Sequence, residues 1–291
     1  MFALLHDLLI APFADFEFMR RALVGSVVLA LAGAPIGVFL MLRRMSLTGD
    51  AMAHAILPGA ALGYLVAGLS LPAMTIGGLA AGVLVALAAG AVARASVLRE
   101  DTTLAAFYLT SLALGVVIVS MEGSNVDLLH VLFGSVLALD DAALTLIGGI
   151  ATLTLVTLAA IFRPLVTDSV DPVFLRSLGG FGAPVHMTFM ALVVMNLVGG
   201  FLALGTLLSV GMMMLPAASA RLWTDDLTAL LALAVPIGAV AAVSGLIAAY
   251  HLSLPAGPAI VLAAAVLYVL SLAFGRRGLL AARFGRRHLE A

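Results

Sequence analysis

The chain has 291 residues, 64% of them hydrophobic and 10% charged, with a mean hydropathy of +1.23. Soluble domains run near half apolar and a quarter charged, so this chain cannot cover itself with polar surface in water and reads as an integral membrane protein. A balance of 14 basic and 15 acidic residues, net -1, excludes a binder of nucleic-acid backbones. Every basic residue is Arg, and without Lys there is no Walker A loop, so any ATP-hydrolysing site belongs to another chain. Zero Cys excludes disulfides, thiolate nucleophiles and Cys-based metal sites, leaving His, carboxylate, amide, hydroxyl and Met groups as metal donors.

In chain order, residues 1–21 are apolar but interrupted by His6, Asp7, Asp15 and Glu17 and end on Arg20 and Arg21, which predicts an interfacial amphipathic helix. A hydrocarbon core about 30 Å thick takes roughly 20 helical residues. Charge-free runs of suitable length lie at 22–42, 51–71, 73–93, 102–121, 142–162, 187–220, 227–249 and 256–274. The run 187–220 is long enough to divide, and Gly199, Gly200 and Gly205 offer a reversal near its middle. The fold class is therefore all-α, a polytopic bundle of eight or nine transmembrane helices over 22–275, with a basic tail at 276–291.

With alternating crossings, Arg43, Arg44, Arg94, Arg99, Arg163, Arg176, Arg221 and the tail arginines fall on one face, which predicts a cytoplasmic C-terminus. The opposite face carries Glu122, Asp127, Asp140 and Asp141, either a mouth that gathers cations or simply solvated acids. Gly33 and Gly37, Gly59 and Gly63, and Gly78 and Gly82 recur at the four-residue spacing that lets membrane helices approach closely. Met212, Met213 and Met214 point to different faces of a helix and read as packing rather than as a soft-metal box.

Inside the membrane one ionisable pair stands out. Asp50 and His54 are four residues apart, hence on one helix face about a turn apart, where carboxylate and imidazole both reach one divalent ion. The alternative is an Asp that caps a helix start and a His satisfied by a carbonyl. Ionisable groups within a membrane usually lie on an ion path, and two ligands suit a carrier that must release its ion. The position soon after Arg43 and Arg44 puts the pair near the arginine-rich end of its helix. Asp127 and His130 form a second candidate pair on the opposite face. Residues 164–185 are the longest polar insertion. Asp171 and Pro172 read as helix cap and first helical position, Phe174 and Leu175 as an apolar face for a partner's groove, and Gly179 as the stop.

The run from Arg43 through Gly49, Asp50, Ala51, Met52, Ala53 and His54 to Pro58 and Gly59 resembles the signature of the membrane subunits of ABC importers for zinc and manganese. Further matches follow in order: Val126 to Leu129 with Leu132, Phe133 and Gly134, then Asp171 and Pro172 to Gly179, Leu215 to Arg221, and Pro255 to Pro258. This resemblance implies a homodimeric permease in a bacterial inner membrane, paired with two cytosolic ATP-binding cassette subunits and fed by a periplasmic metal-binding protein. It implies that Asp50 and His54 contact the metal and that the segment beginning near Asp168 is the coupling helix. The metal is cargo, and no resident cofactor is expected. Similarity along 100–140 places zinc ahead of manganese, although Ser135 stands where many zinc relatives carry Asp. A proton-coupled secondary transporter remains open, and an intramembrane metalloenzyme is disfavoured because no His-Glu-x-x-His run occurs.

Overall fold

The computed structural model describes residues 10–68, 70–97, 100–121, 136, 139–171, 174–175 and 182–279. All its elements are α-helices: α1 (Ala11–Asp15), α2 (Glu17–Leu42), α3 (Thr48–Ala55), α4 (Leu57–Ala67), α5 (Leu71–Ala95), α6 (Glu100–Met121), α7 (Asp141–Ala160), α8 (Phe162–Val170), α9 (Gly182–Leu204), α10 (Thr206–Arg221), α11 (Leu227–Leu252) and α12 (Ala256–Phe274). Among the described residues seven helices are long and apolar enough to cross a membrane, with α3 and α4 joined as one of them. The apolar part of α6, Thr102–Ile118, is shorter, and α10 has 16 residues. Eight of the nine expected passes correspond to the seven spans and the shorter apolar helix in α6, and the ninth falls on the 16-residue α10.

The run 187–220 divides at Gly205, whose φ of 97° is open to glycine but strained for residues with a side chain. Gly200 and Ser209 flank that turn so closely that a Cβ on Gly200 would overlap the Ser209 hydroxyl, so α9 and α10 fold back on each other. Gly199 and Gly200 lie inside α9 and serve close packing, not the reversal. α10 runs beside α2: a Cβ on Gly37 would overlap the Met213 carbonyl oxygen, and Gly33 also faces Met213. Gly59 meets Gly77 and Gly63 meets Ala73 where α4 and α5 pass backbone to backbone, as the four-residue spacing predicts.

Contacts at the helix ends fix the two faces. Arg43, after α2, pairs with Asp168 of α8, and the Arg277 backbone N–H beyond α12 donates to the Leu222 carbonyl at 3.0 Å beyond α10. Arg221 and Arg277 share Asp225. On the opposite face Arg21 pairs with Asp141 at 3.1 Å, and Phe16 lies 5.7 Å from Tyr250 at the end of α11. The described arginines therefore sort as expected.

Two expectations change. The first membrane helix starts at Glu17, inside the stretch assigned to an interfacial helix, and Glu17 and Arg21 pair at 2.8 Å across its first turn. Only α1 remains as a short separate turn there among the described residues. Of the acids on the opposite face, Asp140 accepts the Ala143 N–H at 2.7 Å as a helix cap and Asp141 is held by Arg21, so neither is a free cation-gathering group. Glu122 and the pair Asp127 and His130 lie outside the described residues.

Candidate functional site

The α3 segment begins with a return into the bundle. α2 ends at Leu42, Arg44 adopts φ 59°, and the Met45 N–H donates to the Leu40 carbonyl at 2.8 Å, turning the chain back inward. By the start of α3 the chain is beside Met213 and Leu40, which Gly49 touches. Two residues past His54, Ile56 packs against Gly78 and Gly82, the midpoint of α5. The Ser111 hydroxyl, midway along α6, donates to the Ala55 carbonyl at 3.0 Å and satisfies a polar group where the helix is interrupted at Ile56. His54 thus sits near mid-depth, deeper than the run length predicts, because the reversal after Arg44 carries the chain inward before the helix starts.

Asp50 and His54 share a helix face as expected, with His54 Nε2 3.8 Å from Asp50 Oδ1. The Asp50 side chain is 64% exposed and that of His54 30%. The capping alternative fails: the first turn of α3 has no side-chain cap, and the buried His54 Nδ1 has no hydrogen-bond partner among the described residues. Tyr108 of α6 lies against the imidazole, rings 27° apart with centroids separated by 6.2 Å.

Both residues line a cavity of about 460 Å³ with Ala53, and its other wall follows α10 from Thr206 to Leu215 with Val261 of α12. Along that wall it extends from the Gly205 turn at the opposite face to the level of Met214 and Leu215. The methionine run separates here, since Met212 and Met213 are buried in the bundle while Met214 lines this cavity. Among the described residues no group of three or more His, Asp or Glu side chains gathers within one chain. Among the described residues one copy supplies two donors on an open face, too few to close a divalent site without further ligands such as water.

The expected docking segment is partly described. The Phe174 N–H donates to Asp171 Oδ1 at 2.9 Å, so Asp171 caps as predicted. Phe174 is 53% exposed but Leu175 only 5%, so the two do not form one outward face: Leu175 anchors the segment inward and, of the two, Phe174 is presented. Gly179 lies outside the described residues.

Sequence reasoning missed a polar cluster. Arg43 Nη2 donates to Asp168 Oδ2 at 2.6 Å and to His186 Nδ1 at 2.9 Å. The partners are 125 and 143 residues from Arg43, so no local spacing marks them.

Residues 15–275 match the ABC 3 transport family. The "Manganese import system permease protein ScaB" of Streptococcus parasanguinis is 34% identical over 88% of this chain and 90% of that protein. The "Manganese transport system membrane protein MntC" of Listeria monocytogenes serovar 1/2a is 35% identical over 91% of this chain and 94% of its own. Among solved structures, "PsaBC from Streptococcus pneumoniae in complex with Fab" superposes with a TM-score of 0.82 at 32% identity, covering 94% of this chain and 99% of that one. The zinc preference read along residues 100–140 finds no counterpart in these names.

Proposed function

The chain belongs to the ABC 3 transport family, and from that premise we propose that it is the permease of an ATP-driven importer carrying manganese, rather than zinc, from periplasm to cytoplasm. The names of its relatives favour manganese over the zinc suggested by the sequence. His with carboxylate suits either ion, so the donor set alone does not choose. The chain supplies the path and a partner ATPase supplies the energy, in keeping with the absence of Lys.

One observation carries the mechanism: a carboxylate 64% exposed on a helix face at membrane depth. Such a group facing lipid is costly, so it faces an aqueous route or another protein surface. We read that surface as a second copy of this chain. Two copies bring two Asp50 and two His54 side chains to a shared ion, enough for a four-donor set. Opening and closing the dimer then makes and breaks the site, with the periplasmic binding protein delivering at the face of Arg21 and Asp141. The ATPase docks at the arginine-rich face, where the Asp171-capped turn presents Phe174.

The test is uptake by the permease reconstituted in proteoliposomes with its ATPase and binding protein, using radioactive manganese, iron and zinc. The expected result is ATP-dependent uptake with manganese preferred. Uptake driven by a proton gradient without ATP, or a clear preference for zinc, would overturn the energy source or the cargo respectively.

A further inference from the structure

The Asp168, Arg43 and His186 cluster is closed. The Arg43 and Asp168 side chains are 11% and 8% exposed, and the guanidinium carbon lies 5.4 Å from the centre of the Phe189 ring. A single nitrogen, Nη2, makes both the 2.6 Å bond to Asp168 and the 2.9 Å bond to His186. A buried ion pair is often no more stabilising than apolar residues of the same volume, so stability alone is a weak reason for this one.

Its placement supplies a better reason. α8 ends at Val170 and α9 begins at Gly182, so residues 171–181 form an excursion whose two described ends both lie at the arginine-rich face. Asp168 stands just before that excursion and His186 just after it. One guanidinium therefore grips both its entry and its exit. The same Arg43 terminates α2, and Thr48 begins the Asp50 and His54 helix only five residues later. The intervening turn is braced, with the Arg44 N–H donating to the Met41 carbonyl at 3.1 Å, Met45 to Leu40 at 2.8 Å and Thr48 to Met45 at 3.0 Å. A displacement at the base of the excursion has a short, stiff connection to the metal-facing helix.

We infer that Arg43, held between Asp168 and His186, is the joint that converts movement of segment 171–181 into movement of the Asp50 and His54 helix. This deepens the permease reading and rests on it, since that segment is where the ATPase is placed. Arg43 is a positioning residue that touches neither metal nor nucleotide. Lys would keep the charge but lose the planar guanidinium that holds two partners and lies against Phe189.

The experiment measures manganese ions moved per ATP hydrolysed by the complete complex in proteoliposomes. One variant is the double Arg43→Met and Asp168→Leu, which removes both charges and leaves neither unpaired; the other is Arg43→Lys. Both are expected to assemble and hydrolyse ATP while ions moved per ATP fall about tenfold or more, within the usual range of site-to-site coupling. Wild-type stoichiometry in the double variant would overturn the proposal. Should that variant not assemble, Arg43→Lys decides on the same criterion. Asp50→Asn in the same preparation separates the two readings. If it still transports, the path is misplaced; if it blocks transport while the Arg43 variants keep their stoichiometry, only the joint is wrong.

Discussion

An acid and a histidine meet twice near the turn after α2, with opposite results. At Asp168 and His186 they are drawn onto one largely buried guanidinium at 2.6 and 2.9 Å, with the carboxylate buried and the imidazole half-buried. At Asp50 and His54, one turn apart on α3, they stand 3.8 Å from each other with the carboxylate open to a cavity. The same side-chain chemistry is spent on rigidity in the first case and left uncommitted in the second. An uncommitted pair can take and release an ion, whereas a committed cluster can only hold helices together. The residues between them, Arg44 to Leu47, connect the two behaviours.

The largest expected effect breaks the closed cluster. Asp168→Asn removes the carboxylate 2.6 Å from a largely buried guanidinium and is expected to lower stability by about 3–5 kcal/mol, read as a shifted unfolding midpoint of the detergent-solubilised chain. Asp50→Asn, on the open face, is expected to leave that midpoint nearly unchanged. A comparable loss at both sites would erase the distinction drawn here. In transport the ranking reverses, because Asp50→Asn removes a ligand from the path. Manganese uptake is expected to fall about a hundredfold, at the upper end of losses seen when groups that support a metal site are removed. Uptake at near-normal rates would mean that the ion passes elsewhere.

The difference between the clusters also marks what the sequence could disclose. The passes were legible because hydrophobic run length is set by membrane thickness, and the Gly-x-x-x-Gly spacings were legible because close helix packing leaves a local signature. The Asp50 and His54 pair could be found for the same reason, its spacing being one helical turn. Its depth could not, because depth depends on the left-handed Arg44 and on Gly49 meeting Met213, neither of which alters hydropathy. Arg43, Asp168 and His186 were invisible as a set, since only tertiary packing brings them together. Leu175 was misread beside Phe174 because two adjacent apolar residues give no clue to which one turns inward.

The connecting turn offers a sharper test of the comparison. Arg44 holds φ 59°, a conformation costly for a residue with a Cβ. Arg44→Gly relieves that cost but adds freedom to the unfolded chain, so net stability is expected to change by no more than about 1 kcal/mol. Uptake per ATP is nonetheless expected to fall about tenfold as the link between the clusters loosens. Unaltered coupling would show that the turn transmits nothing.

The smallest effect concerns how uncommitted the open pair is. His54 has a Tyr108 ring beside it but no hydrogen-bond partner for Nδ1 among the described residues, so the aromatic contact from α6 is a visible restraint on the imidazole. Such a contact contributes about 1 kcal/mol, so Tyr108→Leu is expected to weaken apparent manganese affinity about fivefold. The maximal rate at saturating metal should hold, because the ligands themselves remain. Tyr108→Phe keeps the ring and should behave as wild type, which separates the ring's contact from its hydroxyl. A drop in maximal rate with affinity preserved would instead place Tyr108 in the conformational change, and the open pair would then be restrained by the bundle as firmly as the closed one.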